Sequence, residues 1–319
     1  MTNVQRAQRT LPKFFMSPGF LGLAVAWAGF SLVLPNFGTR SNATNILLQF
    51  GPIALLALGQ MVVILVRGFD ISVGAVLAIS SVSAALAIEQ FGMVGIVAAP
   101  LTGIAFGLWN GALIGFFAVP PIITTLGTLL LARGLALLIT NSGQVVLVTG
   151  DPQMGLLDFA FGQFLSIPYS AILTFAVFCT VAVFLSRSRI GRRLFLIGGD
   201  PESARLVGIK VNRGFLLAYA ICGGCAGLAG LLILTKTGAG LPTDGVGMEL
   251  NAIAAAVIGG SLLTGGNAQP FRVLIAALFI QAIYTGLSFS AVSPYAGEVV
   301  LGAVILFAGL IGARNLNTK

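Results

Sequence analysis

Ionisable side chains are rare in the apolar stretches of this sequence, and their types limit the chemistry it can perform. Five charges lie in or beside long uncharged runs: Arg67, Asp70, Arg133, Glu249 and Glu298. No histidine occurs in the 319 residues, which excludes Ser-His-Asp triads and imidazole metal sites. No two of these carboxylates share an uncharged run at helical spacing, as a proton relay or a cation site would need. The sequence therefore favours neither an enzyme nor an ion-coupled carrier.

Neutral polar side chains are more frequent within the same uncharged runs. Their hydroxyl and amide groups can exchange hydrogen bonds with a neutral, polyhydroxylated solute, and they can equally bond a neighbouring helix. The set consists of Gln60, Asn110, Thr124, Thr125, Thr128, Asn251, Gln281 and Tyr284. A path for a small neutral solute such as a sugar or polyol is the functional interpretation, and interhelical hydrogen bonding is the structural one.

A short polar segment between two basic flanks carries the strongest local pattern. Asp200 suits a helix N-cap, Pro201 suits the first helical position, and Glu202 complements the positive helix end. Gly208 can end that helix two turns later. The pattern predicts a capped helix outside the bilayer, on which a partner docks; the alternative is a surface helix lying on anionic headgroups. No Gly-Lys-Ser/Thr sequence occurs, so nucleotide-driven work requires a partner.

The elements that position these groups must be suited to lipid. Hydrophobic residues make up 57% of the chain, charged residues make up 8%, and the mean hydropathy is +1.02, which leaves too few polar residues for a soluble surface. A helix that crosses a hydrocarbon core of about 30 Å needs about 20 apolar residues. We predict one all-α polytopic membrane domain over residues 1–319, with about ten transmembrane helices. Their expected ranges are 20–35, 45–66, 71–88, 93–118, 122–141, 167–186, 214–235, 249–264, 271–290 and 296–313.

Basic residues gather on one side of this predicted topology. The loop 187–213 holds seven lysines and arginines and both tails add more, whereas 142–166 holds Asp151 and Asp158 without any base. Short loops rich in lysine and arginine stay in the cytoplasm, so we expect that loop and both termini to be cytoplasmic. The net charge of +8 then sets membrane topology and does not indicate nucleic-acid binding.

Glycine spacing predicts close helix packing. Four glycines recur every four residues in the fourth predicted span, at Gly103, Gly107, Gly111 and Gly115. Such a face lets a neighbouring backbone approach closely, either as a static contact or as a sliding one. The pair Cys222 and Cys225 lies in a similar glycine-rich run, which indicates small-residue packing more than a redox or zinc pair.

Several motifs occur in an order and spacing that identify a family. They are Gly68-Phe-Asp70-Ile-Ser72-Val-Gly74, Asn110-Gly111, Pro120-Pro121-Ile-Ile-Thr124-Thr125, Arg133-Gly134, Gly198-Gly199, Ala204-Arg205-Leu-Val-Gly208 and Glu249 through Gly266. The chain resembles the membrane subunits of ribose-type ABC sugar importers, which are related to branched-chain amino-acid permeases. It departs from them at Asp200, where asparagine is usual, and after Gly266, where a further glycine is usual.

The resemblance implies a bacterial cytoplasmic-membrane permease that forms half of a translocation pathway. It implies three partners: a separate ATPase subunit that binds ATP, an extracytoplasmic solute-binding protein, and a second permease copy or paralogue. The chain itself would be no enzyme and would hold no cofactor. The remaining alternatives are the same machinery for an amino acid, nucleoside or signalling furanose, and an ion-coupled secondary transporter.

Two groups of site residues follow from the motifs and the resemblance. The ATPase-coupling group in the loop 187–213 consists of Asp200, Pro201, Glu202, Ser203, Ala204, Arg205 and Gly208. The pathway or gating group consists of Asp70, Ser72, Asn110, Thr124, Thr125, Glu249 and Asn251.

Overall fold

Apolar runs broken by glycine and proline give a predominantly α-helical chain in the computed structural model. The structure describes residues 17–141 and 146–290, together with positions 299, 302 and 303. The helices are α1 Pro18–Val33, α2 Arg40–Gln49, α3 Gly51–Leu65, α4 Val73–Phe91, a 3₁₀ helix Gly92–Val97, α5 Ala98–Gly115, α6 Pro121–Ile139, α7 Asp151–Phe161, α8 Tyr169–Arg187, α9 Arg189–Gly199, α10 Pro201–Leu206, α11 Val211–Thr237, α12 Met248–Ile258 and α13 Pro270–Phe289. The strands are β1 Val146–Leu147, β2 Gln163–Phe164, β3 Ile167–Pro168 and β4 Ala239–Gly240.

Nine of the ten predicted spans coincide with described helices, and the tenth, 296–313, lies almost wholly outside the described residues. By length and apolar composition, five stretches of the described chain could cross a bilayer, with Val73–Gly115 taken as one. A sixth is added if α2 and α3, bent by 47°, form one span. The break between the predicted spans 93–118 and 122–141 falls at Pro120 and Pro121, where two consecutive prolines interrupt helical hydrogen bonding: α5 ends before them and α6 begins at Pro121.

Helix α11 is the central element, and α5 packs against it through the glycine face predicted above. A Cβ atom added to Gly103 would lie 2.1 Å from the carbonyl oxygen of Gly223, and one added to Gly107 would lie 2.2 Å from that of Tyr219. The remaining glycines of the face meet Leu216 and Asn212 of α11 in the same antiparallel register. Because only glycine fits there, the two backbones touch along the whole contact.

The two ends of α11 define two ends of the helical bundle. We call the end that carries α9 and α10 the basic end, because it holds the arginine-rich segment 187–213. At the opposite end, which we call the strand end, β1 pairs antiparallel with β4, with Val146 opposite Gly240. Helix α7 and the β2–β3 hairpin also lie in the segment before α8, where the sequence predicted no structure. At 27 residues, α11 spans about 40 Å between the two ends.

Two non-helical segments enter the bundle from opposite ends and meet inside it. After α3, residues 66–72 turn back from the basic end, and α4 begins only at Val73. After β4, residues 241–247 run inward from the strand end to the start of α12. The segments touch where a Cβ on Gly245 would lie 2.5 Å from the carbonyl oxygen of Gly74. Irregular backbone at this depth is tolerated because protein, and not lipid, surrounds it.

The eighth predicted span is therefore a half-length helix. Helix α12 has 11 residues and a length of about 16 Å, which is half of a hydrocarbon core. Its start at Met248 lies in the interior, and its end leads through a glycine turn to the basic end, where the amide of Gly266 donates to the carbonyl of Leu65 at 2.9 Å. The sequence predicted the apolar content of this segment, and its short, glycine-flanked run leaves open both a full crossing and a broken or re-entrant helix.

Candidate functional site

The first interior cluster surrounds Asp70 in the segment before α4. Its Oδ1 accepts hydrogen bonds from the amide of Ser72 at 2.9 Å and from the Ser72 hydroxyl at 2.6 Å. The Nδ2 of Asn110, on α5, lies 3.1 Å from the Ser72 hydroxyl and 3.5 Å from Asp70 Oδ2. Thr128 of α6 donates to the Oδ1 of Asn110 at 2.6 Å. Three of the predicted pathway residues, at positions 70, 72 and 110, are thus brought together, and Thr128 joins them.

Helix α11 holds this cluster from the other side. The hydroxyl of Tyr219, a fully buried residue, accepts from the amide of Phe69 at 3.1 Å and donates to its carbonyl at 3.0 Å. The Cys222 thiol lies beside the Asp70 carboxylate and interacts with it. Cys222 is eleven residues from the start of α11, so the carboxylate lies about 17 Å from that helix start. Sequence reasoning missed Tyr219, since a lone tyrosine in an apolar run carries no spacing signal.

The second interior cluster surrounds the start of α12. Arg133 of α6, which is half-buried, donates to the carbonyl of Pro242 and, at 2.8 Å, to the carbonyl of Asp244. The carboxylates of Asp244 and Glu249 interact electrostatically with this guanidinium. Glu249 also accepts from the amide of Gly247 at 3.2 Å. Arg133 was the one charge that the sequence placed within a span, and the structure gives it backbone and acidic partners.

The remaining predicted pathway residues take different positions. Asn251 donates to the hydroxyl of Tyr284 on α13 at 3.0 Å, which is an interhelical bond. Thr125 donates to the carbonyl of Pro121 in its own helix at 3.0 Å. The hydroxyl of Thr124 is buried without a partner among the described residues. The predicted group is therefore divided between the Asp70 cluster, the start of α12, and helix α6.

Both interior clusters share one chemical property. Each contains the N-terminus of a helix that starts inside the bundle, and free N–H groups at such a terminus attract anions. In α4 the carboxylate of Asp70 already accepts the amide of Ser72, and in α12 that of Glu249 accepts the amide of Gly247. A carboxylate of the chain thus lies beside each helix terminus, bonded to the amide of the residue that precedes the helix, and its negative charge opposes the approach of an anionic group of a solute.

The predicted surface helix is α10, Pro201–Leu206, at the basic end. Asp200 caps it by accepting from the amide of Glu202 at 3.1 Å and from the Ser203 hydroxyl. The hydrogen bond from Ser203, which has the larger effect, and the bond from the Glu202 amide hold the pKa of Asp200 below its usual range. Gly208, at φ +79°, ends the helix, and the amide of Ile209 donates back to Ala204 at 3.0 Å.

Helix α10 exposes nearly all of its surface. Ala204 is its one buried residue, whereas Leu206 and Val207 are 88% and 74% exposed. Two large apolar side chains side by side on a polar segment indicate a contact site, either for a partner protein or for the membrane surface. Sequence reasoning had selected the polar residues of this segment and missed these two. The amphipathic helix α9 before it, capped by Ser188, was also not predicted.

Comparison with known proteins relates the chain to one family of membrane permeases. The profile of the family described as "Branched-chain amino acid transport system / permease component" matches residues 42–309. The chain is 36% identical to the ribose import permease protein RbsC of Escherichia coli K12 over 295 residues, which cover 91% of each protein. It is 35% identical to the D-allose transport system permease protein AlsC of the same organism, over 91% of this chain and 89% of that one. It is 36% identical to RbsC of Bacillus subtilis over 92% of each.

The chain belongs to this permease family. It is accordingly a multi-pass membrane protein of the bacterial inner membrane, in keeping with its long apolar helices. No solved structure matches it. The family match extends through both interior clusters and the surface helix, so all three belong to the shared permease region.

Proposed function

We propose that this chain is the permease subunit of an ATP-driven importer and forms half of the translocation pathway for a monosaccharide or a similar small neutral polyhydroxy solute. It would do so as one transmembrane domain with about ten spans. The proteins it resembles over nine-tenths of its length are named for ribose and D-allose. The surface helix and the two interior clusters give each step of such a transport cycle a physical location.

The carboxylates beside the two interior helix starts are the observation that carries the neutral solute class. Interior helix termini in transporters bind solutes through their unpaired N–H groups, and a carboxylate is the group they hold best. Here Asp70 and Glu249 lie beside those termini and bond the amides of Ser72 and Gly247. An entering carboxylate would meet like charges that are already hydrogen-bonded, whereas hydroxyl groups can exchange bonds with the neutral side chains of Asn110 and Thr128 without a charge penalty.

A branched-chain amino acid is the second candidate, since the family description names that class. Its ammonium group could approach Asp244, one carboxylate oxygen of which is buried without a partner among the described residues. Its carboxylate, however, would need a free cation or helix end. Arg133 already donates to two backbone carbonyls, which reduces its capacity for that role. We therefore favour the neutral solute.

The orientation and the partners follow from charge and exposure. We place the basic end in the cytoplasm, together with both chain termini, because its arginines obey the positive-inside rule. A separate ATPase subunit would then dock on α10, with Asp200 to Arg205 and Gly208 shaping the helix, and with Leu206 and Val207 entering an apolar pocket. The strand end would face an extracytoplasmic solute-binding protein. A second copy or a paralogue would complete the pathway.

The test is transport by the purified assembly. We would tag the chain in its own host, isolate it with its associated proteins, identify them by mass spectrometry, and reconstitute the assembly in liposomes. Uptake of labelled ribose, allose, arabinose and leucine would be measured with ATP, without ATP, and with an imposed proton or sodium gradient.

We expect an ATPase and a solute-binding protein to co-purify, and sugar uptake to require ATP. Uptake that follows an ion gradient in the absence of ATP would contradict the proposal and support a secondary transporter. ATP-dependent uptake of leucine without any sugar would replace the neutral solute with the amino acid.

A further inference from the structure

Three segments meet in a tight junction at the basic end of the bundle. They are the end of α3, the end of α9, and the glycine turn that follows α12. A Cβ atom on Gly198 would lie 1.8 Å from the carbonyl oxygen of Leu65 and 2.6 Å from the amide nitrogen of Gly266. One on Gly265 would lie 2.7 Å from the carbonyl oxygen of Gly198. Main chain therefore touches main chain at this junction, and the Arg67 side chain packs beside it, with its Cγ 2.5 Å from the same added Cβ on Gly265.

Arg67 closes the junction with its side chain. Its Nε donates to the carbonyl of Gly198 at 2.8 Å, and its Nη2 donates to the carbonyl of Gly199. These are the last carbonyls of α9, where the helix dipole is negative and a guanidinium is favourable. The next residue is Asp200, the cap of α10, and Arg67 is among the groups that keep its pKa low, after the hydrogen bonds from Ser203 and Glu202. The side chain of Arg67 thus reaches the residues that immediately precede the surface helix α10.

On its other side, Arg67 is joined to the interior by a short, fixed segment. Its own backbone is in the left-handed region at φ +63°, which a non-glycine residue adopts only where its surroundings impose it. Two residues later, Phe69 has both its amide and its carbonyl bonded to Tyr219. The next residue, Asp70, belongs to the interior cluster with Ser72 and with Asn110 of α5. Only two residues, Gly68 and Phe69, lie between Arg67, which binds the end of α9, and the buried carboxylate of Asp70.

We infer that Arg67 is the positioning residue that transmits displacement of α10 to the interior clusters. This inference rests on the proposed function, in which an ATPase moves α10. Residues 67–72 form a short segment that is hydrogen-bonded to α9 through Arg67 and to the interior cluster through Asp70 and Ser72. A shift of the end of α9 therefore moves Asp70 and the first turn of α4. The bond from Gly266 to Leu65 carries the same shift to the turn after α12. Movement of the surface helix α10 therefore reaches the start of α4 through Arg67, and it reaches the turn after the end of α12 through the neighbouring Leu65.

A purely local role for Arg67 makes a different prediction. If the guanidinium only satisfied the carbonyls at the end of α9, its removal would loosen α9 and α10 and leave the interior unchanged. The two roles are separated by measurements at a distance from Arg67, in residues that it does not contact.

The variants are Arg67→Ala, Arg67→Lys and, as a matched control, Arg40→Ala. Arg40 also ties two distant segments with its guanidinium, which donates to Ser166 at 2.8 Å, but it lies at the other end of the α2–α3 pair. Amide hydrogen exchange of each purified chain in detergent reports on 70–76, which holds the Asp70 cluster and the first turn of α4 away from Arg67, and on 198–208. In the reconstituted assembly, sugar uptake and ATP hydrolysis are measured together.

For Arg67→Ala we expect exchange to rise at least tenfold in both segments, and uptake per ATP hydrolysed to fall at least tenfold while the ATPase still co-purifies. Arg67→Lys should recover part of the ratio, because an ammonium can donate to the same carbonyls as a point charge. Arg40→Ala should behave as wild type in both measurements.

The inference is overturned if Arg67→Ala raises exchange in 198–208 alone, or if uptake per ATP stays at the wild-type value. Failure of the proposed function has a separate signature, since the wild-type assembly would then show no ATP-dependent uptake. The exchange measurement on the isolated chain would still decide whether Arg67 links the two segments.

Discussion

Asp70 and Asp200 make the same local structure in two opposite environments. Each accepts a hydrogen bond from the amide two residues later and from a serine hydroxyl, and each precedes the first turn of a helix. Asp70 is 2% exposed and is also bonded by Asn110 of α5, whereas Asp200 is exposed and its carboxylate caps the helix that it precedes. The same pair of side-chain acceptor bonds thus joins two helices in the interior and shapes a docking surface outside it.

The largest effect is expected from Asp70→Asn. The new amide would direct N–H groups toward Ser72 or Asn110, which already donate there, so one buried donor loses its acceptor. A loss of about 1–3 kcal/mol in stability, together with most of the transport activity, should follow. Thermal unfolding in detergent and uptake in liposomes would measure both. Wild-type uptake by this variant would show that the cluster is dispensable.

The double variant Glu202→Ala with Arg205→Ala should act on transport without affecting the fold. Both side chains are exposed on α10 and their removal leaves Ala204 in place, so insertion and unfolding temperature should stay within error. We expect uptake to fall at least tenfold because the ATPase loses charged contacts. Normal uptake, with equal amounts of protein in the membrane, would exclude these residues from docking.

Leu206→Ser tests the apolar part of the same surface. Since the side chain is 88% exposed in the isolated chain, its replacement should not destabilise it, but loss of a buried contact with the ATPase should weaken binding about 5- to 30-fold. Titration of detergent-solubilised chain with the ATPase subunit gives the affinity. The exposed Leu165 at the β2–β3 turn supplies the control, since Leu165→Ser should leave that affinity unchanged.

The smallest effect is expected from Asp200→Asn, the counterpart of the first substitution. Asparagine caps helices about as well as aspartate, so ATPase binding should change by less than about threefold at neutral pH. Because the folded-state pKa of Asp200 is lowered, the carboxylate cap is present above the usual aspartate range and is lost as the pH falls through that lowered value. Binding by wild type should therefore stay constant from pH 8 to about pH 5. A large loss in the variant at pH 7 would show that the charge, and not the cap, matters.

The sequence predicted the positions of the helices well, because uncharged apolar runs and proline corners are local signals. It also selected Asp70, Ser72 and Asn110 through their motifs, and the structure brings these three together. It did not predict that 66–72 turns into the bundle or that α12 crosses only half of it. How far each of these segments extends into the bundle depends on contacts between residues that are distant in sequence, such as Gly74 and Gly245. A hydropathy profile does not contain information on those contacts.

The docking surface and its link to the interior were predicted only in part. Capping residues have strong local preferences, so Asp200 and Gly208 were identified from sequence. Leu206 and Val207 were not, since an apolar residue in an apolar chain is not distinctive until its exposure is known. Arg67 was noted only as a charge at a span end, because its partners lie 131 and 132 residues away.

The contact between α5 and α11 limits which parts of the protein can move relative to each other. Along the glycine face few side chains stand between these two backbones, so few rotamers could adjust if one helix slid along the other. We therefore expect the two helices to shift as a single rigid body, and in the proposed transport cycle the opening and closing of the pathway is left to helices such as α6, where Gly127 and Gly134 have open space around them.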